Sequence, residues 1–254
     1  MGSGYIIGCL FSILLWRLDR QKVFNFINIK SRNKIKNIYI VQFLYLCLIF
    51  VMYLGLVFIK NNQLYNAITA FIVIDISNTE RKNLKSNYKK HFYDTISTIS
   101  SALICGFITP LFLIIIFGNG AAIVFMILYN LSSDKDFNII GFVMSIAIII
   151  IPSIIAEAFL YIIYVFRNRN LKIKFKGDYI SNLFIVPLLN VDILAAFIES
   201  VNFYSYHNGN NMHYLKSYGS YNNKIDNVCI KDYLSISYSI CFLLFIVFFV
   251  LQQL

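Results

Sequence analysis

The chain has 254 residues, of which 59% are hydrophobic, and its mean hydropathy is +0.69. Soluble domains carry about 45–50% apolar residues, so this composition excludes an ordinary water-soluble globule and leaves little length for a soluble domain beside the membrane segments. The net charge of +10 does not indicate nucleic acid, because the cations stand in loops beside apolar runs, where the positive-inside bias puts them.

Residues 4–16 form a short apolar run ending in Trp16-Arg17, a thin span if Arg17 snorkels. Residues 17–37 hold seven Lys/Arg against one acid, Asp19, and form the first cytoplasmic loop. Within it, Val23-Phe24-Asn25-Phe26-Ile27-Asn28-Ile29 mixes apolar and basic neighbours, as a piece lying among lipid headgroups would. Residues 38–59 read as a clean span and 64–76 as an apolar run short of one. Residues 77–95 are polar with five Lys/Arg and are expected to be a helical cytoplasmic connector containing His91.

The run from 95 to 130 holds 36 residues without a charge. That is too long for one crossing and short of the roughly 40 that two would need. Gly118-Asn119-Gly120 breaks it. The expectation is one span over 96–117 followed by a half-helix over 121–131. Pro110 removes the donor that the Gly106 carbonyl would use in an α-helix, so that carbonyl must find another partner. Ser97, Ser100 and Ser101 are small polar groups able to bond other helices.

Asp134 and Asp136 offer two oxygens in a short loop, a thin basis for a metal. Residues 139–166 form the next long apolar run, in which Pro152 should produce a bend and Glu157 is an intramembrane carboxylate, a site candidate by its cost. Residues 167–178 are a third basic loop. Together the three basic loops carry 17 of the 22 Lys/Arg. They share one face of the bilayer only if the 95–130 run crosses once. Residues 183–203 contain Asp192 and Glu199, seven apart and on one helical face. A re-entrant or interfacial helix suits them better than a span. Residues 202–232 form a long polar connector in which His207 and His213 lack further metal-ligand residues at suitable spacing. Residues 233–251 read as a terminal span.

The expected fold class is an all-α polytopic membrane protein of about five spanning helices plus half-helices, in a single domain over 1–254 with polar connectors at 17–37, 77–95, 167–178 and 202–232. No nucleotide-binding, hydrolase or zinc-peptidase motif occurs, no C-x-x-C pairs the cysteines, and no cofactor or metal is expected. Acid–base chemistry would have to use Glu157, Asp192 or Glu199, or the pair Asp134 and Asp136.

Pro110-Leu111-Phe112, Phe117-Gly118-Asn119-Gly120-Ala121 and Tyr129-Asn130 resemble a membrane superfamily. It joins the adenosylcobinamide-phosphate synthases (CobD/CbiB) and the AmpE proteins linked to β-lactamase induction. Ile151-Pro152-Ser153-Ile154-Ile155 resembles that superfamily's I-P-x-R-L signature without its arginine. The resemblance covers roughly residues 86–166 and implies structural roles for Pro110, Leu111, Phe112, Gly118, Gly120, Asn130 and Pro152. The synthase group's E-N-x-x-D-G motif corresponds to Ser101-Ala102-Leu103-Ile104-Cys105-Gly106, and its N-T-L-D-S motif to Asn130-Leu131-Ser132-Ser133-Asp134. The acidic pair before its bent proline falls on uncharged residues 148–151. Those losses point away from ligase chemistry and toward the AmpE-like group. That group implies a non-catalytic inner-membrane protein in cell-wall or β-lactamase-linked signalling, with lipid, anionic headgroups and a membrane-protein partner as its contacts. A divergent synthase of cobalamin biosynthesis and a small-molecule transporter are the alternatives.

Overall fold

Asn37 and Asn62 each start a helix in the same way: the side-chain oxygen accepts a backbone N–H from the first turn, Tyr39 at 3.0 Å and Tyr65 at 2.7 Å. The computed structural model describes residues 2–15, 26–27, 30, 35, 37–59, 62–76, 92–131, 140, 148–173, 187–201, 203–209, 212–218 and 227–253. The helices are α1 (Ser3–Leu14), α2 (Ile38–Val57), α3 (Gln63–Val73), α4 (Phe92–Leu103), α5 (Thr109–Phe117), α6 (Asn119–Leu131), α7 (Ile150–Asn168), α8 (Pro187–Ile198) and α9 (Asn227–Leu251). A π-turn, Ile104–Ile108, fuses α4 to α5. Strands β1 (Phe203–Gly209) and β2 (Met212–Tyr218) pair antiparallel.

Among the described residues four helices are long and apolar enough to cross a membrane: Ile38–Leu56, Thr95–Phe117, Ile150–Asn168 and Asn227–Leu251. The chain is thus α-helical in the manner of a membrane protein. Its charge-free helix Thr95–Phe117 is the centre. It is 83% buried along its most apolar stretch, against 17–28% for the other three. Those three present apolar faces outward, as helices bordering lipid do.

The centre is irregular where Pro110 requires it. The π-turn puts the wide loop of backbone one turn before the proline. The freed Gly106 carbonyl accepts the N–H of Asp75 at 3.0 Å. Asp75 lies just past α3, where Ile74 has already turned extended. Gly106 is itself the condition for this contact, since a methyl there would stand 3.0 Å from the Ile76 Cα. At the other end, Gly118 takes φ +81° with open space around it, so the requirement is conformational rather than steric. The helix restarts at once as α6, described over 13 residues, about 20 Å and short of the roughly 30 Å hydrocarbon core.

Small residues set the outer contacts. Gly4 and Gly8 of α1 lie against the carbonyls of Gln63 and Ala67, and the Ser12 hydroxyl donates to the Ile74 carbonyl. α1 and α3 therefore run parallel in close approach along a small-x-x-x-small seam. Gly120 packs against Leu56 and Tyr53 of α2.

Two expectations are corrected. Pro152 does not bend a helix interior: α7 begins at Ile150, so the proline sits in the first turn, where no intrahelical N–H is needed. The polar connector at 202–232 is not wholly loop. Its aromatic, alternating Phe203-Tyr204-Ser205-Tyr206 stretch has strand propensity and forms the hairpin with 212–218. Among the described residues α1, α3, α6 and α8, of 11 to 13 residues, are shorter apolar helices beside the four long ones. The Asp134/Asp136 loop, His91 and most of the basic loops at 17–37 and 77–95 lie outside the described residues.

Candidate functional site: a buried polar centre at one end of the bundle

Glu199 closes α8, and its carboxylate is only 2% exposed. Arg167, in the last turn of α7, donates through Nη1 to Glu199 Oε1 at 3.0 Å and through Nη2 to Asp232 Oδ2 at 3.1 Å. Arg167 is 42% and Asp232 50% exposed, so this triad is the wet rim of the centre. It also ties together the C-terminal ends of α7 and α8 and the N-terminal part of α9.

Asp192 lies seven residues before Glu199 on the same face of α8, about 10 Å deeper along the axis. It is 4% exposed. The hydroxyls of Ser97 and Ser100 on α4 hydrogen-bond to its carboxyl, while Oδ1 has no partner among the described residues. Ser100 Oγ in turn lies 2.9 Å from the Tyr233 hydroxyl of α9. Burial pushes the Asp192 carboxyl up to about 7, and the two serine hydrogen bonds offset only part of that rise. Arg167 bonds Glu199 and Asp232 rather than Asp192.

α8 holds this arrangement because it is enclosed. All but Leu188 of its residues are buried, and α4 and α7 flank it. The interfacial alternative for 183–203 therefore fails: a helix lying at the surface would show one wet face, and α8 shows none. Tyr164 and Phe197 meet edge-on at 6.4 Å and, further along both helices, Arg167 meets Glu199, so α7 and α8 run parallel. Glu157 and Asn190, each seven residues earlier, thus stand at one depth below Asp192. Glu157 is half-buried and ten residues from Arg167, about 15 Å along α7 and outside the triad.

Of the sequence-derived site residues, Asp192 and Glu199 come to one centre. Pro110, Leu111 and Asn130 are buried, Phe112 is half-buried, and Asn130 Nδ2 donates to the Met126 carbonyl at 2.8 Å. His207 and His213 are not cross-strand partners, since the register pairs them with Tyr214 and Asn208. Among the described residues no group of three His, Cys, Asp or Glu is placed to hold a metal ion.

The sequence reading missed Arg167, Asp232 and Tyr233 as members. Arg167 registered only as the start of a basic loop. The usable signal was Ser97 and Ser100, three apart and so on one helical face, in a run otherwise apolar. A second buried network went unread at the opposite end. There Tyr5 donates to Asn119 Oδ1 at 2.8 Å and Asn119 Nδ2 to Asn66 Oδ1 at 2.7 Å, linking α1, α6 and α3.

No protein-family model, no curated protein and no solved structure matches this chain. The function therefore has to be argued from the polar centre and the helices that enclose it.

Proposed function

We propose that the chain is a non-catalytic inner-membrane protein of the AmpE kind, its basic loops cytoplasmic, acting in cell-wall or β-lactamase-linked signalling. One observation carries the non-catalytic part. The two acids that the polar centre brings together are engaged inside the protein, Glu199 by Arg167 and Asp192 by Ser97 and Ser100, and both are buried. Groups that hold helices together in this way specify packing, and a transmembrane polar contact of this type contributes roughly 0.5–2 kcal/mol. The cytoplasmic placement rests on the 17 of 22 Lys/Arg in three loops. Those loops would contact anionic headgroups and a membrane-protein partner. The test is expression in a bacterial host with inducible β-lactamase. An AmpE-like protein changes the induction response to a β-lactam, and Arg167→Ala reduces that change. An unchanged response with the protein present in the membrane would reject this reading.

The gathering of Asp192, Glu199 and Arg167 at one end favours a second reading, a divergent adenosylcobinamide-phosphate synthase. There, carboxylates near a cation would meet a phosphorylated corrinoid arriving from the cytoplasm. It requires corrinoid-dependent activity in purified membranes that falls on Asp192→Ala or Glu199→Ala. The transporter alternative requires substrate-dependent uptake in proteoliposomes.

A further inference from the structure

We propose that Asp192 is a buried proton-binding site, loaded and unloaded from the Arg167 end of the bundle through the hydroxyls of Tyr233 and Ser100. This goes beyond the signalling reading and stands whether or not that reading does.

Three observations place the proton there. Asp192 is 4% exposed on a helix with no wet face. Its Oδ1 has no hydrogen-bond partner among the described residues. A buried carboxylate with one bare oxygen and no cation facing it among the described residues costs more than the neutral acid does. The charged and titratable groups around it are few. Among the described side chains α4 contributes the hydroxyls of Ser97 and Ser100, and its first turn carries Asp94 in its sequence. α7 contributes Arg167, paired elsewhere, with Glu157 deeper. α9 contributes Tyr233, within electrostatic reach of both Asp192 and Glu199, and the exposed Asp232. α8 itself adds Glu199. β1, which meets the C-terminal end of α8, carries His207 in its sequence.

The hydroxyls also supply a path. With Ser100 donating to Asp192, the Ser100 oxygen is left to accept from Tyr233, and every hydroxyl is satisfied in that order. Loading moves one proton in three transfers. A proton from water at the triad reaches the Tyr233 oxygen as Tyr233 passes its own to Ser100, and Ser100 passes its own to the Asp192 carboxylate. Only O–H bonds form and break, one proton is taken up, and rotation of the two hydroxyls resets the chain. Tyr233 is itself fully buried, but its hydroxyl feels the charge of Glu199, whose partner Arg167 is 42% exposed, so the Arg167–Glu199–Asp232 triad is the wet end on the Tyr233 side of the chain.

The experiment is infrared titration of the purified full-length protein in lipid nanodiscs. The protonated-carboxyl C=O band belongs to acids alone, so His207 does not contribute. The expected result is a band that fades as pH rises through neutrality and is missing in Asp192→Asn. In Tyr233→Phe the same band should exchange with heavy water slower by about tenfold or more, equivalent to about 1.4 kcal/mol of added barrier. Na⁺ or K⁺ should leave it unmoved. A band absent from the wild type, or retained in Asp192→Asn, would overturn the site. Displacement by Na⁺ or K⁺ would make it a cation site instead and overturn the proposal. Wild-type exchange in Tyr233→Phe would overturn the path. Where Asp192→Asn does not fold, Asp192→Glu keeps the acid and should shift the band, and a band left unmoved by it would overturn the site.

Discussion

At Gly118 the backbone holds a left-handed φ of +81° with nothing within 4 Å of where a Cβ would stand. Gly118→Ala should therefore cost about 1–2 kcal/mol through conformation alone. Gly55, in the last turns of α2 with equally open space and ordinary φ, is the control. Gly55→Ala should be neutral or stabilising by up to about 1 kcal/mol. Thermal unfolding in detergent measures both, and equal effects would remove the special role of Gly118. Glu157 is half-buried at the depth of Asn190. Glu157→Gln should be tolerated and Glu157→Lys should impair insertion or folding, because only the second adds a charge to the apolar interior. Equal yields of both variants in membranes would place Glu157 at an interface. Arg167→Ala leaves Glu199 buried without its cation and should cost about 2–3 kcal/mol, the exposure of Arg167 keeping the value below that of a fully buried pair. An unfolding shift no larger than that of an exposed lysine substitution would contradict it.

Elements here are positioned by what their irregularities need. The α4–α5 helix carries a π-turn because Pro110 requires one, and the freed Gly106 carbonyl fixes where the chain beyond α3 must pass. α8 can be twelve residues long and lie inside the bundle because Asp192 and Glu199 find partners on two neighbouring helices, α4 and α7. Its stability should follow Asp192. The carboxyl is raised from an unfolded value near 4 to about 7 in the fold. The folded state therefore binds the proton more tightly than the unfolded one. Stability should be highest below about pH 4, fall as pH rises from about 4 to about 7, and level off above. Asp192→Asn should flatten that slope, and a slope that survives the substitution would assign it to another group. On α1, Gly8→Leu drives a side chain into the Ala67 carbonyl and should detach α1 from α3, read as loss of cross-linking between cysteines placed at Ser12 and Ile74.

Across the molecule, two ends are defined. Ser100, Arg167, Glu199, Asp232 and Tyr233 meet at one, while Gly2 lies beside Phe249, Tyr5 beside Phe248 and Asn119 at the other. α5 ends at the second and α7, antiparallel to it, starts there, so Gly118 and Ile149 stand at the same end. Much of this was legible in the chain. A charge-free run longer than one span and shorter than two, interrupted by glycine, foretold both the central helix and the break, and Pro110 foretold an orphan carbonyl. The identity of that carbonyl's partner was not legible, because Asp75 supplies a backbone N–H and any residue type can do so. The polar centre was half legible: the spacing of Asp192 and Glu199 put them on one face, but their partners lie 32 to 95 positions away in the chain. The Gly4/Gly8/Ser12 seam was written in the sequence as a small-residue repeat and obscured by reading 4–16 for length and hydropathy alone.

The account turns on a single crossing between the polar centre's two strands of support, and labelling from each face of the membrane tests it most directly. In a cysteine-depleted background, single cysteines at Ser133 and Asn168 are reacted with an impermeant maleimide applied to intact cells and to inverted vesicles. The account predicts reaction from opposite faces, Asn168 from the cytoplasmic one. Reaction of both from the same face would contradict it.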